Sequence, residues 1–158
     1  IYGEVTWKPN RNNNFILGLQ RQVYNQYIYE GKIGVPNVET FTPFIEFLHK
    51  FSRKQAVRLE GSAMFTDQDY GSWVFALAEY TIAPRWSFVI SDMYNYGYNP
   101  EKTKKANNYP SISAFYTKGP NRFSLGYIKQ VEGIVCTGGI CRYEPAFSGV
   151  RATLSTSF

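Results

Sequence analysis

Few side chains of this chain have chemistry strong enough for catalysis or metal binding, and the two cysteines are the most specific of them. Cys136 and Cys141 enclose the tetrapeptide Thr-Gly-Gly-Ile. A structural zinc site would need a second pair of Cys or His ligands, and the chain has a single histidine, His49. The spacing therefore favours a small disulfide that closes a loop, and such a bond indicates an oxidising, extracytoplasmic setting.

His49 and the nearby Ser52 are the candidates for nucleophilic catalysis. A hydrolase of this kind holds a histidine beside a serine and orients it with an acidic residue. No acidic orienting residue is evident, and a turn is predicted just beyond Ser52. We therefore expect His49 to be an interfacial histidine. The sequence predicts no catalytic residue, no cofactor and no metal.

A set of charged side chains recurs at alternate positions of predicted strands. Alternate residues of a strand point to the same face, so these side chains are predicted to share the inner, lumen-facing side of the sheet. In a barrel of about eight to ten strands they would fill the interior with ion pairs, and in a wider barrel they would line a water-filled channel. We favour filling. The set is Glu4, Glu46, Lys50, Arg58, Glu60, Glu79 and Arg151.

The strands that must position these residues are read from the alternation of apolar and polar residues. The period is two along most of the chain, and no segment shows a convincing helical period. No run of about 18 apolar residues exists, which excludes a transmembrane helix. Aromatic residues make up 18% of the chain, which also favours strands. Nine strands are predicted, at about 1–9, 14–30, 41–52, 55–68, 72–83, 86–98, 110–118, 121–135 and 146–158.

The connections between these strands alternate in length. Short polar turns at 9–13, 53–54, 84–85 and 119–121 alternate with the longer segments 31–40 and 100–108 and the cysteine loop; only the connection at 67–71 breaks the pattern. Short turns on one rim and long loops on the other are typical of outer-membrane barrels. The predicted fold class is therefore all-β: an antiparallel, up-and-down transmembrane β-barrel with its short turns in the periplasm.

The last ten residues support the same interpretation. One face of the final strand carries Val150, Ala152, Leu154, Thr156 and Phe158, and the opposite face is polar. Closing strands of outer-membrane barrels place such an apolar face toward lipid and a C-terminal Phe at the periplasmic rim. We expect these five residues to form the signal that the barrel insertion machinery recognises.

The odd number of strands does not fit a closed barrel. Single-chain bacterial barrels have an even number of strands, so residues 1–158 are interpreted as one barrel domain or the C-terminal segment of a larger one. A miscount that leaves eight strands is the alternative.

In addition, strict alternation from Phe15 points Arg21 at lipid, and we predict a β-bulge near 20–22 that would redirect it.

The surface residues suggest partners. A tyrosine-rich group predicts the aromatic girdle at the outer membrane interface, with sugar binding as the alternative. A lysine group in the loop 100–108 fits contact with lipopolysaccharide phosphates, and a solvated loop tip fits equally well. The net charge is +5, but the basic residues are dispersed and no nucleic-acid motif is present, which argues against nucleic acid. The first group is Tyr24, Tyr27, Tyr29 and 94–98, and the second is Lys102, Lys104 and Lys105.

The end of the chain resembles a known class of proteins. The cysteine loop, the segment Arg142-Tyr-Glu-Pro-Ala-Phe147 and the closing Phe158 are similar to the C-terminal end of large Bacteroidetes-type outer-membrane barrels. The similarity covers roughly 121–158. It implies a Gram-negative outer membrane, a longer parent chain and possible membership of a multi-protein envelope complex, and it supplies no catalytic residues.

These observations lead to one expected function and two alternatives. We expect a non-enzymatic outer-membrane barrel component with a structural, pore-forming or binding role, in contact with lipid, lipopolysaccharide and other envelope proteins. A secreted soluble β-barrel or sandwich that binds carbohydrate through its tyrosines is the first alternative, and an outer-membrane enzyme is the second. A soluble barrel must place charges on its outer face, whereas lipid favours an unbroken apolar belt, as at 57–65 and 150–158.

Overall fold

The structure is a computed structural model that describes residues 1–25, 27–28, 31, 33–34, 36–68, 70–97, 108–137 and 140–156. Side chains are described for all of these except 134–137 and 140–143. In this part of the chain, no helix has the length and apolar character needed to cross a membrane.

The described chain consists almost entirely of β-strands. Most of the strands are rich in β-branched and aromatic residues, which fit the pleated surface of a sheet. The strands are β1 (Tyr2–Asn10), β2 (Asn13–Tyr24), β3 (Val38–Lys50), β4 (Gln55–Met64), β5 (Trp73–Ile82), β6 (Trp86–Asn95), β7 (Ser111–Lys118), β8 (Asn121–Gln130), β9 (Gly133–Thr137), β10 (Ile140–Glu144) and β11 (Phe147–Thr156).

Nine of these strands form one antiparallel sheet in the order β1-β2-β3-β4-β5-β6-β7-β8-β11. This confirms the predicted all-β fold with nine antiparallel strands that run up and down. The sheet is not closed, since β1 and β11 lie at its two edges. Closure into a transmembrane barrel therefore stays a proposal.

The cysteine segment, which the sequence pattern places in a loop, forms a hairpin of its own. β9 and β10 pair as a separate two-stranded sheet, closed by the pair Thr137–Ile140. Only two residues, both glycines, separate the members of this pair in sequence, and such short Gly connections favour hairpins. The predicted strand 121–135 accordingly ends at Gln130, and β9 begins at Gly133.

The predicted strand 14–30 is also too long. β2 ends at Tyr24, and the side-chain oxygen of Asn25 then accepts a hydrogen bond from the Tyr27 N–H at 2.8 Å. A side-chain contact of this kind, two residues along the chain, turns the backbone out of the strand. The next predicted strand, 41–52, instead begins too late, because β3 already begins at Val38.

The predicted bulge at 20–22 is wrong. β2 and β3 pair without a register shift from Asn13 to Tyr24, and Arg21 stands opposite Phe41. The Arg21 side chain instead forms an exposed ion pair with Glu39 at 3.3 Å. Because both residues lie near the end of the sheet that carries the long loops, their charges reach solvent without a change of register.

Very few side chains are buried among the described residues. The buried apolar residues are Val38 and Tyr109, both near the long-loop end of the sheet, and many large apolar side chains elsewhere are exposed. A sheet normally buries its apolar face against a second layer. The described part of this chain provides no such layer.

Candidate functional site

One side of the nine-stranded sheet, here called the apolar face, is covered with exposed aliphatic side chains. The strand registers place these residues on the same side, because directly opposed residues of an antiparallel pair share a face. Their exposure ranges from 40% at Val74 to 70% at Val150. Across the sheet the face carries Val5, Leu17, Leu19, Ile45, Leu59, Val74, Ile90, Ile112, Leu125, Val150 and Leu154.

Aromatic rings border the apolar face on the edge that carries the short turns. The Trp7 and Phe15 rings lie 5.3 Å apart, and the Phe15 and Phe47 rings 4.6 Å apart. On later strands, Trp86 and Tyr116 continue the border with a ring separation of 4.7 Å. We call this border the turn-side aromatic row: Trp7, Phe15, Phe47, His49, Phe51, Trp86, Tyr116 and Phe123.

A second group of aromatic rings borders the opposite, long-loop edge. Phe65 lies 6.4 Å from the ring of Phe41 and 6.3 Å from that of Tyr96. This loop-side aromatic row comprises Phe41, Phe65, Tyr94, Tyr96 and Tyr127, all at least 40% exposed. Along β6, Tyr94 lies eight positions after Trp86, which corresponds to about 27 Å at the rise of an antiparallel strand. An aliphatic band between two aromatic borders therefore covers this side of the sheet.

The opposite side of the sheet, here called the polar face, contains a cluster around Arg58. Its guanidinium group contacts three carboxylates, at 2.9 Å for Glu60, 3.1 Å for Glu79 and 3.5 Å for Glu46. Glu79 also accepts a hydrogen bond from the Ser87 hydroxyl at 2.7 Å. The five residues, here called the Arg58 cluster, lie on β3, β4, β5 and β6, so the cluster links four adjacent strands.

The registers place the rest of the predicted lumen-facing set on the same polar face. Glu4 accepts a hydrogen bond from the Tyr2 hydroxyl. Arg151 lies 3.8 Å from the Glu144 carboxylate and stacks over the Phe147 ring at 5.3 Å. Lys50 pairs with Ala56 at the short-turn end of β3. The location of this face in a lumen stays a prediction.

His49 lies within the turn-side aromatic row. Its ring stands 4.6 Å from that of Phe51, and its Nδ1 atom lies 2.6 Å from the Asn13 side-chain oxygen. The Ser52 hydroxyl instead accepts a hydrogen bond from the Lys54 N–H at 3.2 Å. Sequence reasoning missed Asn13 as the partner of His49, although register predictions for β2 and β3 would have placed the two residues opposite each other.

Several predicted site residues lie outside the described part of the chain. These are the lysines Lys102, Lys104 and Lys105, the tyrosines Tyr29 and Tyr98, and the terminal Phe158. The remaining residues of the predicted insertion signal are described: Val150, Ala152, Leu154 and Thr156 lie on the apolar face of the edge strand β11. No group of three or more His, Cys, Asp or Glu suited to a metal ion occurs among the described residues.

We predict that Cys136 and Cys141 form a disulfide in the native protein. Their side chains lie outside the described set, but their backbones are directly paired across the β9–β10 hairpin. The Cα atoms of paired antiparallel residues are about 4.5 to 5.5 Å apart, within the range that a disulfide spans. Mass mapping of peptides without reductant should recover the two segments joined. Free thiols at both positions in protein isolated under oxidising conditions would contradict the bond.

Together, the fold and the two faces define an all-β chain with nine antiparallel strands in one sheet, apolar on one side and polar on the other. The chain belongs to the DUF6029 family, a family of unknown function, whose match covers residues 1–158. No curated protein and no solved structure matches the chain.

Proposed function

We propose that this chain forms part of a transmembrane β-barrel in the outer membrane of a Gram-negative bacterium, where it has a non-enzymatic structural, pore-forming or binding role. The observation that carries the proposal is the uncovered apolar face between two aromatic rows. Transmembrane barrels have an outward apolar band about 25 Å tall, with aromatic girdles at both interfaces. The spacing of the two rows along β6 is of that size.

A water-soluble role accounts less well for the same face. Soluble monomers rarely expose a contiguous apolar patch larger than a few hundred Å². Here the exposed aliphatic residues extend from Val5 on β1 to Leu154 on β11. Charged residues on this side, such as the Arg21–Glu39 pair, lie near the long-loop end and leave the centre of the band aliphatic. Acyl chains would cover such a surface at no cost in polar desolvation.

The two free edges of the sheet bear on how the barrel would close. Within a bilayer, backbone groups without hydrogen-bond partners cost several kcal/mol each, so membrane sheets close on themselves. The outer edges of β1 and β11 would therefore pair in the membrane, directly or through further strands. The resemblance of 121–158 to the ends of large barrels supports the second arrangement. Pairing would also give β11, which carries the described residues of the predicted insertion signal, a second neighbouring strand.

The Arg58 cluster is relevant to the role of the polar face inside a barrel. One cation contacts carboxylates on β3, β4 and β5, and Ser87 of β6 extends the cluster through Glu79. In a barrel this cluster would hold four strands of the wall together from inside. Such a cluster is consistent with an interior filled by ion pairs, and it would line the wall of a wider barrel equally well. We retain the structural, pore-forming and binding roles as one class, with membrane lipid, lipopolysaccharide and other envelope proteins as the partners.

The proposal predicts which loops reach the cell exterior. In a background in which Cys136 and Cys141 are replaced by Ser, single cysteines at Asn107 and Lys54 are labelled on intact cells with a membrane-impermeant maleimide. We expect reaction at Asn107 alone, because the long loops face outward and the turn that contains Lys54 faces the periplasm. Reaction at Lys54 alone would invert the topology. Recovery of the protein in the soluble fraction, with neither site labelled on intact cells, would contradict the outer-membrane location.

A further inference from the structure

The short-turn edge of the sheet is strongly basic. It comprises the turns that join β1 to β2, β3 to β4, β5 to β6 and β7 to β8, together with the residues that flank them. No Asp or Glu occurs in the segments 8–13, 50–55, 83–86 and 118–122. Eight basic side chains on this edge are all exposed: Lys8, Arg11, Lys50, Arg53, Lys54, Arg85, Lys118 and Arg122. We call them the basic edge.

The opposite edge has a different charge balance. Its described residues include the carboxylates of Glu39, Asp67 and Asp92, and Arg21 on this edge is paired with Glu39. Among the described residues, the positive charge is therefore unevenly distributed, with an excess on the short-turn edge. An exposed cluster of one sign attracts a partner of the opposite sign.

The basic edge also has a fixed position relative to the aromatic rings. Lys8 directly follows Trp7 in sequence, Arg85 directly precedes Trp86, and Lys118 lies two residues beyond Tyr116. Moving from the centre of the sheet toward the short turns, one therefore meets aliphatic residues, then the turn-side aromatic row, then cations. A bilayer has the same order of layers: hydrocarbon, interface and charged headgroups.

We propose that the basic edge binds the phosphate-bearing headgroups of anionic phospholipids in the leaflet that the short turns face. This inference rests on the proposed function, because it requires the apolar face to be in lipid. The cations are spread over four turns, which suits a planar lipid surface better than a single bound molecule. The densest point that can face the bilayer is the turn between β3 and β4, where the adjacent side chains of Arg53 and Lys54 are both exposed.

The experiment compares two variants that each remove three positive charges. The test variant is R53Q/K54Q/R85Q on the basic edge, and the matched control is K32Q/K129Q/R142Q, which removes three cations that are dispersed in the sequence and lie outside the basic edge. The full native chain is reconstituted in nanodiscs that contain equal amounts of phosphatidylglycerol and phosphatidylcholine. The lipids that remain bound after detergent extraction are then counted by mass spectrometry at low and high salt.

We expect the wild-type protein and the control variant to retain phosphatidylglycerol in preference to phosphatidylcholine. The test variant should lose this preference by at least about tenfold, since each cation near an anionic surface contributes measurably to binding. High salt should weaken the preference in the wild type, because screening shortens the reach of exposed charges. Single replacements should give graded losses, and they provide the answer if the triple variant does not fold.

Two outcomes would overturn the proposal: equal retention of the two lipids by the wild type, or equal loss of the preference in the test and control variants. Insertion of the wild-type protein into phosphatidylcholine alone, without lipid preference, would reject only the headgroup site. Failure to insert into either lipid would reject the membrane barrel as well, so the two proposals fail in distinguishable ways.

Discussion

Replacing Ile90 by Arg should strongly reduce the fraction of protein that inserts into a membrane. Ile90 lies near the middle of β6 on the apolar face, opposite Ile112, and its side chain is 58% exposed. An arginine at the bilayer midplane of a transmembrane barrel costs about 2 to 4 kcal/mol. The free energy of unfolding from lipid vesicles, measured by urea titration with tryptophan fluorescence, should fall by an amount in this range.

The matched control for this substitution is Ser91→Arg. Ser91 is the next residue on β6 and points to the polar face, where it pairs with Leu77 and Ser111. An arginine there would remain on the polar side, so we expect a much smaller change. A water-soluble protein would give a different result, because a charge in place of an exposed Ile leaves stability nearly unchanged and improves solubility. Equal, small effects of both substitutions would therefore contradict the lipid-facing assignment.

The second large effect is expected at Arg58. Its replacement by Met leaves the carboxylates of Glu46 and Glu60 on adjacent strands without the cation that they share. Breaking a fully buried ion pair costs about 3 to 5 kcal/mol. Because the Arg58 side chain is 32% exposed, solvent screening reduces the expected loss to about 1 to 2 kcal/mol. Thermal or urea unfolding measures the change.

The cause of that loss can be isolated by removing the carboxylates too. Glu46→Gln, Glu60→Gln and Glu79→Gln, combined with Arg58→Met, should restore most of the stability, because the uncompensated negative charges are gone. Lys118→Met, which removes a cation far from the cluster, should have little effect. If the combined variant is no more stable than Arg58→Met alone, the cluster stabilises the sheet through packing rather than through charge.

The sequence pattern predicts the strands of the central sheet well because each strand has two chemically different faces. In β4, Val57, Leu59 and Ala63 alternate with Arg58 and Glu60, and the structure contains a strand with the same two faces. Alternation depends only on the local sequence, so it can be recognised without knowing which strands are neighbours. The same logic grouped the charged residues that the registers place on one face.

The alternation of residues within one strand does not predict the register between neighbouring strands. The contacts of Arg58 with Glu46 and Glu79 depend on how β3, β4 and β5 are aligned, and no pattern within one strand contains that information. The predicted bulge near Arg21 failed for a related reason. The rule treated every outward position as buried in lipid, whereas a residue near the rim can carry a charge without leaving the strand register.

The β9–β10 hairpin has a consequence for engineering. It shares no ladder with the nine-stranded sheet, and the chain leaves from Gln130 at the end of β8 and returns to Phe147 at the start of β11. The alignment of β8 with β11 is set by their own pairing. Changes near the tip of the hairpin should therefore leave this alignment intact, whereas Glu144 at its base contacts Arg151 of β11. A foreign peptide grafted between Thr137 and Ile140 would lie at the long-loop end of the sheet, and on the proposed topology this tip would be a site for displaying an epitope on the cell surface.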